Sequence, residues 1–372
     1  MKLLTTLTTL ITVAAAAPSS KKAPTSNVDV KLEAIGNSEV KAIISNHGKQ
    51  DIRVFKPGTI LDTSAVQKVK VVADGTASLR TSYFAVYLAN IHHTGRHVPF
   101  LGIRKRISSK TIQDASLEKI PAGKSTEVIF NVAQTYDLSS GGKFNVNSIG
   151  SLSYAIGNGD NKLVGTVPYH SNTVSLDVNG AKAAHDRASF HTTMKRAKVQ
   201  SDCTGERLSV TERALSNCAQ LASAAEQAAS SGSAEKMEEY FKASDEQTRQ
   251  TVAGVFSRVV QECSSTNSGV ANYYCTDVGN YCSGNVLAYT VPSESYMVYC
   301  DLYFNDLPDL TTQCHAQDQA TTNIHEDTHL TQIQGTDDLG YGYEAIQGLS
   351  ADQELNNADT YALFSNAIYA NC

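Results

Sequence analysis

The chain has 372 residues, 41% hydrophobic and 18% charged, with 24 glycines and no tryptophan. This ordinary globular composition excludes disorder or a collagen-like repeat for the chain as a whole, and the length favours two domains. The net charge of −6 hides a split: residues 1–196 carry 24 Lys/Arg and 13 Asp/Glu (+11), whereas residues 197–372 carry 7 and 24 (−17). Two bodies of opposite charge are expected to attract each other. Only Arg104-Lys105-Arg106 forms a tight basic cluster, so nucleic acid is not an expected partner.

In chain order, Lys2, the apolar run Leu3–Val13 and the small residues Ala14–Ala17 read as a secretory signal peptide over residues 1–19. No later apolar run reaches the roughly 18 residues of a membrane helix, so no membrane partner is expected. Residues 20–196 have no cysteine and read mostly as strands: Val28–Ala34, Lys41–Ser45, Asp51–Phe55, Val66–Ala73, Thr126–Val132 and Thr173–Val178. A β-rich, sandwich-like domain follows from that spacing. Of its histidines, His92, His93 and His97 surround a turn glycine without nearby acids and are not expected to hold a metal. The segment Ala181–Ala197 is polar without a strand pattern and contains Lys195-Arg196, a dibasic pair at which a kexin-type protease would cut. It coincides with the charge switch.

All eight cysteines lie beyond it, and an even number without a C-x-x-C pair reads as disulfides in an oxidising, extracellular compartment. Ser209-Val210-Thr211-Glu212 opens an Ala-rich helix reaching about Ser230, and Ser244-Asp245-Glu246-Gln247 opens a second with Val252, Val255, Phe256, Val259 and Val260 at helical spacing. Val286–Thr290 and Tyr296–Phe304 read as strands. A helix is expected over Ala316–Ile333, then a Gly-rich turn, then a last helix from Ser350 towards the C-terminus.

Residues 325–329 read His-Glu-Asp-Thr-His. Positions four apart share a helix face, so both imidazoles can reach one zinc ion, with Glu326 beside the reacting water as general base. The third ligand of the metzincin pattern fails, because Gln332 and Gly335 stand where it needs Gly and His. With no histidine after His329, the third ligand must be a carboxylate: Asp337, Asp338, Glu344, Asp352, Glu354 or Asp359.

HEDTH followed by GTDDLGYG (residues 335–342) resembles the deuterolysin, or aspzincin, family of fungal secreted neutral zinc metalloendopeptidases, whose pattern is HExxH then GTxDxxYG. The resemblance continues through CHAQDQATTNIHEDTH and LNNADTYALFSNAIY. It implies a zincin-like α+β catalytic domain, mainly helical with a small β region, over 197–372, and a propeptide over 20–196. It implies one zinc ion held by His325, His329 and Asp338, with Glu326 as base. Tyr341 would donate to the oxyanion, and Tyr303 matches a second tyrosine implicated in catalysis. Asp359 is expected in a substrate pocket or behind the ligands, and His315 is expected to be structural. The implied disulfides are Cys203–Cys275, Cys282–Cys300 and Cys314–Cys372. Cys218 and Cys263 remain, and their places on two expected helices suggest a fourth bridge.

The −17 body should attract Lys/Arg-rich chains, and the resemblance implies a taste for basic proteins such as protamines and histones. Ala362 stands where lysine-specific relatives carry a second acid, so a strict lysine requirement is not expected. The partners are therefore protein or peptide substrates, with the propeptide as chaperone and inhibitor of a monomer. The alternative is a catalytically silent, disulfide-rich secreted binding protein that keeps the peptidase fold.

Overall fold

The computed structural model describes residues 27–74, 95–108, 112–156, 161–191, 201–266 and 269–372. The expected signal peptide, His92, His93 and Lys195-Arg196 lie outside them. The upstream part is built from β1 (Val28–Ala34), β2 (Glu39–Asn46), β3 (Ile52–Phe55), β4 (Lys70–Ala73), β5 (Arg96–His97), β6 (Arg104–Ile107), β7 (Leu117–Ile120), β8 (Ser125–Asn131), β9 (Gly142–Asn147), β10 (Ile149–Ile156), β11 (Gly165–His170) and β12 (Val174–Val178). All but β6 form three sheets, ordered β1-β2-β8, β11-β10-β3-β7 and β12-β9-β4-β5. Alternation decides which face turns inward. In β1 and β2 every second residue is buried, and Val30, Leu32, Val40, Ala42 and Ile44 join Val54, Val146 and Leu176 in one core.

The segment read as a polar linker is instead helical as far as His191, forming α1 (Gly180–His191). The downstream part follows with α2 (Gly205–Ser231), α3 (Ala234–Phe241), α4 (Glu246–Cys263), β13 (Asn272–Tyr274), β14 (Val286–Val291), β15 (Tyr296–Tyr299), α5 (Asp301–Asp306), α6 (Gln319–His329), α7 (Tyr343–Ile346), α8 (Ala351–Glu354) and α9 (Ala358–Ala370). The strand expected over Tyr296–Phe304 stops at Tyr299, and Cys300 caps α5 instead. The last helix is broken. Asn357, between α8 and α9, spends its side chain on the backbone of Leu339 and Gly340. Helices α2, α4, α6 and α9 share a core that includes Leu215, Ala222, Phe256, Ile324 and Phe364. Four disulfides join Cys203–Cys275, Cys218–Cys263, Cys282–Cys300 and Cys314–Cys372.

The two parts meet in a fourth sheet, ordered β13-β15-β14-β6. Strand β6 comes from upstream and lies antiparallel on β14, with Arg106 opposite Ala288, Lys105 opposite Tyr289 and Arg104 opposite Thr290. Phe55, Ile103 and Ile107 pack with Tyr289, Val291 and Val298 in a core shared by both parts. The whole is a mixed α/β protein.

Candidate active site

Helix α6 is the centre of the site, and every one of its 11 residues is buried. It starts later than expected because Asp318 caps it, accepting from Thr321 N–H while the Thr321 hydroxyl accepts from Asp318 N–H. It ends at His329, where the chain turns back. Gly335, at φ +73°, bonds to the Thr328 and Leu330 carbonyls, a backbone conformation that suits glycine. The reversal carries Thr336, Asp337 and Asp338 along the helix end.

This geometry brings His325, His329 and Asp338 together. Asp338 Oδ1 lies 3.2 Å from His325 Nε2 and 3.4 Å from His329 Nε2. All three atoms are buried without a hydrogen-bond partner, and they lie within 4.8 Å of one another. Three converging orphan donors, two nitrogen and one oxygen, match the protein share of a tetrahedral metal site with one open position. Each imidazole is oriented from behind, as metal-binding histidines require. His329 Nδ1 donates to the Thr336 carbonyl at 2.9 Å, and His325 Nδ1 lies 3.0 Å from Arg106 Nη1 and 3.3 Å from Asp359 Oδ1. Burial and the nearby Arg106 guanidinium push the His325 pKa down to about 3, so its ring is neutral. Burial acts to raise the Asp338 pKa, but the two imidazoles hold it well below the usual carboxylate range. Of the carboxylates left open by the sequence, Asp338 alone joins the two histidines; Glu354 lies instead by Thr360 and Lys242.

Glu326 is buried beside this cluster with both carboxylate oxygens unpartnered, and burial pushes its pKa up to about 7. Tyr341 lies over His325, ring centroids 6.1 Å apart, and its hydroxyl donates to the Lys105 carbonyl at 2.8 Å. Gly58, at φ +74°, rests against that hydroxyl: a Cβ there would come within 2.7 Å of it. Asp359 is buried, accepts from Gly342 N–H and pairs with the Arg106 guanidinium. It therefore touches both the back of the His325 ring and a basic side chain.

Tyr303, expected to be catalytic, lies buried in the core. Its ring stacks on Tyr299 at 4.3 Å, and its hydroxyl donates to Asn323 Oδ1 at 3.4 Å. Among its described contacts none reaches His325, His329 or Asp338, because α5 turns it into the core beneath α6. His315 accepts or donates at Nε2 with Tyr240 Oη (2.7 Å) and stacks on Tyr343, a structural setting. Sequence reasoning missed Thr336, Asn357 and, above all, Arg106. The signal for Arg106 was present as the one tight basic cluster upstream, but nothing local says which surface a strand will join.

Two imidazoles, a carboxylate and a buried glutamate on this frame form the constellation of a metallopeptidase. The profile of the Deuterolysin metalloprotease (M35) family matches residues 1–372, and the chain belongs to that family. A protein named Neutral protease 2 homolog from Colletotrichum graminicola is 47% identical over 352 residues, covering 94% of each chain. Neutral protease 2 from Aspergillus oryzae is 39% identical over 376 residues, covering 100% of each. A solved zinc peptidase from Grifola frondosa shows 22% identity and a TM-score of 0.38, covering 44% of this chain and 97% of its own.

Proposed function

We propose that the chain is a secreted zinc endopeptidase with a preference for basic proteins, made as a prepro-zymogen. Residues 1–19 are the signal peptide, 20–196 the propeptide released after Lys195-Arg196, and 197–372 the catalytic domain. His325, His329 and Asp338 hold one zinc ion. The observation that carries this reading is the convergence of their three orphaned, buried donor atoms beside a glutamate with no partner of its own.

A zinc ion held there would supply Lewis acidity for the attacking water and the scissile carbonyl. Glu326 takes the proton from the attacking water and delivers it to the leaving amine, a task suited to a carboxylate whose pKa stands near neutrality. Tyr341 donates its hydroxyl to the oxygen of the scissile carbonyl as negative charge develops there. Asp359 keeps the His325 ring in place and receives a basic side chain, the pair of duties suggested by its contacts with both. Tyr303 supports α6 from below through Asn323.

The zymogen reading is supported by the substrate-like position of β6. Once residues upstream are removed, β14 is an edge strand above α6, the place where an extended peptide adds to a sheet. In the uncut chain β6 fills it. The test is zinc content and cleavage of protamine by the secreted protein, before and after a chelator. About one zinc per molecule is expected, with activity lost on chelation and restored by zinc. A folded, processed protein without zinc or proteolysis overturns the reading in favour of a silent binding protein.

A further inference from the structure

We propose that Asp337 is a specificity residue for substrate, binding a basic side chain two positions before the leaving-group residue; this deepens, and rests on, the peptidase reading above. The argument starts from the register of β6. The carbonyl that receives the Tyr341 hydroxyl belongs to Lys105, and Lys105 N–H points to Asp338 Oδ2 at 3.4 Å. The Lys105–Arg106 peptide bond thus stands where a scissile bond would stand, and the strand runs antiparallel to β14. Arg106 then occupies the place of the residue just after the cut, and Arg104 that of the second residue before it.

Residues 104 and 106 of a strand share one face, and residue 105 takes the other. The contacts follow this rule. Lys105 turns back to its own upstream part, 3.1 Å from Asp62 and 2.5 Å from the Ser64 hydroxyl. Arg104 and Arg106 both turn to the downstream part, where each meets a separate carboxylate. Arg106 meets Asp359, and Arg104 Nη2 donates to Asp337 Oδ1 at 2.5 Å with both side chains nearly buried. Gln67 and the Phe100 ring steady the same guanidinium from upstream.

Asp337 is fixed for this purpose. Its N–H donates to the Asn356 carbonyl, its own carbonyl accepts from Ala358 N–H, and Asn356 Nδ2 donates to its Oδ2 at 2.9 Å. The two cations described beside it, Arg104 and Lys70 (3.8 Å), both lie upstream of the proposed cut. Release of that part leaves a rigidly held carboxylate facing the cleft, with the amide of Asn356 on one oxygen and no cation from its own body among the described pairs. A substrate with Arg or Lys at this position restores the ion pair.

The experiment compares two internally quenched peptides containing X-Lys-Arg-Ile, with X either Arg or Gln, using the secreted and processed enzyme. Gln keeps length and polarity while removing charge. The Arg peptide is expected to show kcat/KM about tenfold above the Gln peptide, the scale of one charge-complementary contact, with mass spectrometry placing the cut between Lys and Arg. Asp337→Asn is expected to bring the two peptides within about twofold of each other. Equal rates on the unaltered enzyme, an unchanged ratio in Asp337→Asn, or a cut at another bond overturns the subsite while leaving the peptidase reading intact. Cleavage of neither peptide, nor of protamine, overturns both. The comparison on the unaltered enzyme decides the matter even where the variant does not fold.

Discussion

Glu326 and Tyr341 have different tasks in the proposed site, and single-atom changes separate them. Glu326→Gln removes the proton acceptor and is expected to lower kcat by roughly 10²–10⁴-fold with zinc retained, read by kinetics and metal analysis on one sample. Tyr341→Phe removes one donor to the developing oxyanion, so kcat is expected to fall about 10²–10³-fold with little change in KM. Tyr303→Phe is the contrast: a hydroxyl bonded to Asn323 in the core leaves kcat/KM within about twofold when lost. A fall of the size seen for Tyr341→Phe would return Tyr303 to the catalytic group. Asp359→Asn weakens the partner behind His325, and zinc affinity is expected to drop about 10–100-fold in a chelator competition. At this scale the sequence was most informative where chemistry is local. The four-residue spacing of two histidines on a helix is a fixed distance, so HEDTH names two side chains that meet at one point. Thr336 could not be found that way, since its carbonyl and its hydroxyl reach His329 Nδ1 only where the chain folds back at Gly335.

Helices carry the site, and the disulfides tie them together. Cys218 on α2 and Cys263 on α4 are bridged next to Asp327 of α6, whose carboxylate lies 3.1 Å from Cys263 Sγ. Replacing both with alanine is expected to cost about 2–4 kcal/mol of stability, given the 45-residue separation, measured by denaturant unfolding. Glu354 at the end of α8 provides a pH test. Burial pushes its pKa up to about 7 from 4.5, against the opposing effects of the Thr360 hydroxyl and Lys242. A raised carboxyl pKa means that the folded chain keeps a proton the unfolded chain has released. Its contribution is therefore full below pH 4.5 and lost as pH rises through about 7. Glu354→Gln is expected to gain in melting temperature over the parent as pH goes from 5 to 8, by the equivalent of about 1–3 kcal/mol; a difference that does not vary with pH would contradict the assignment. The strands around Val30 and Ile44 and the amphipathic α4 were readable because one face is apolar. The break between α8 and α9 was not. It depends on Asn357 bonding to the loop at Leu339 and Gly340, a tertiary partner that overrides local propensity.

For the molecule as a whole, the charge split marked two bodies but not their contact. Charge of +11 against −17 states that the parts attract, without saying that a single strand enters the sheet of the other. The contact itself is testable. In a chain whose Lys195-Arg196 pair is replaced by alanines, so that it stays uncut, Arg106→Ala is expected to raise residual peptidase activity about tenfold by emptying the Asp359 contact. No increase would place the inhibition elsewhere.

The uneven distribution of cysteine has a further consequence. All eight lie in the body that owns the cleft, cross-linked in four pairs, while the upstream body has none. A peptidase that binds extended chain is a hazard to any neighbour able to fray, including another copy of itself. Cross-linking removes frayed segments from the enzyme's own body; the upstream part, once released as proposed, would be the easiest chain in reach, basic and without a cross-link. On the proposed zymogen reading, the same asymmetry that makes one part durable makes the other perishable, and the released upstream part would be disposed of by the enzyme it had held in check.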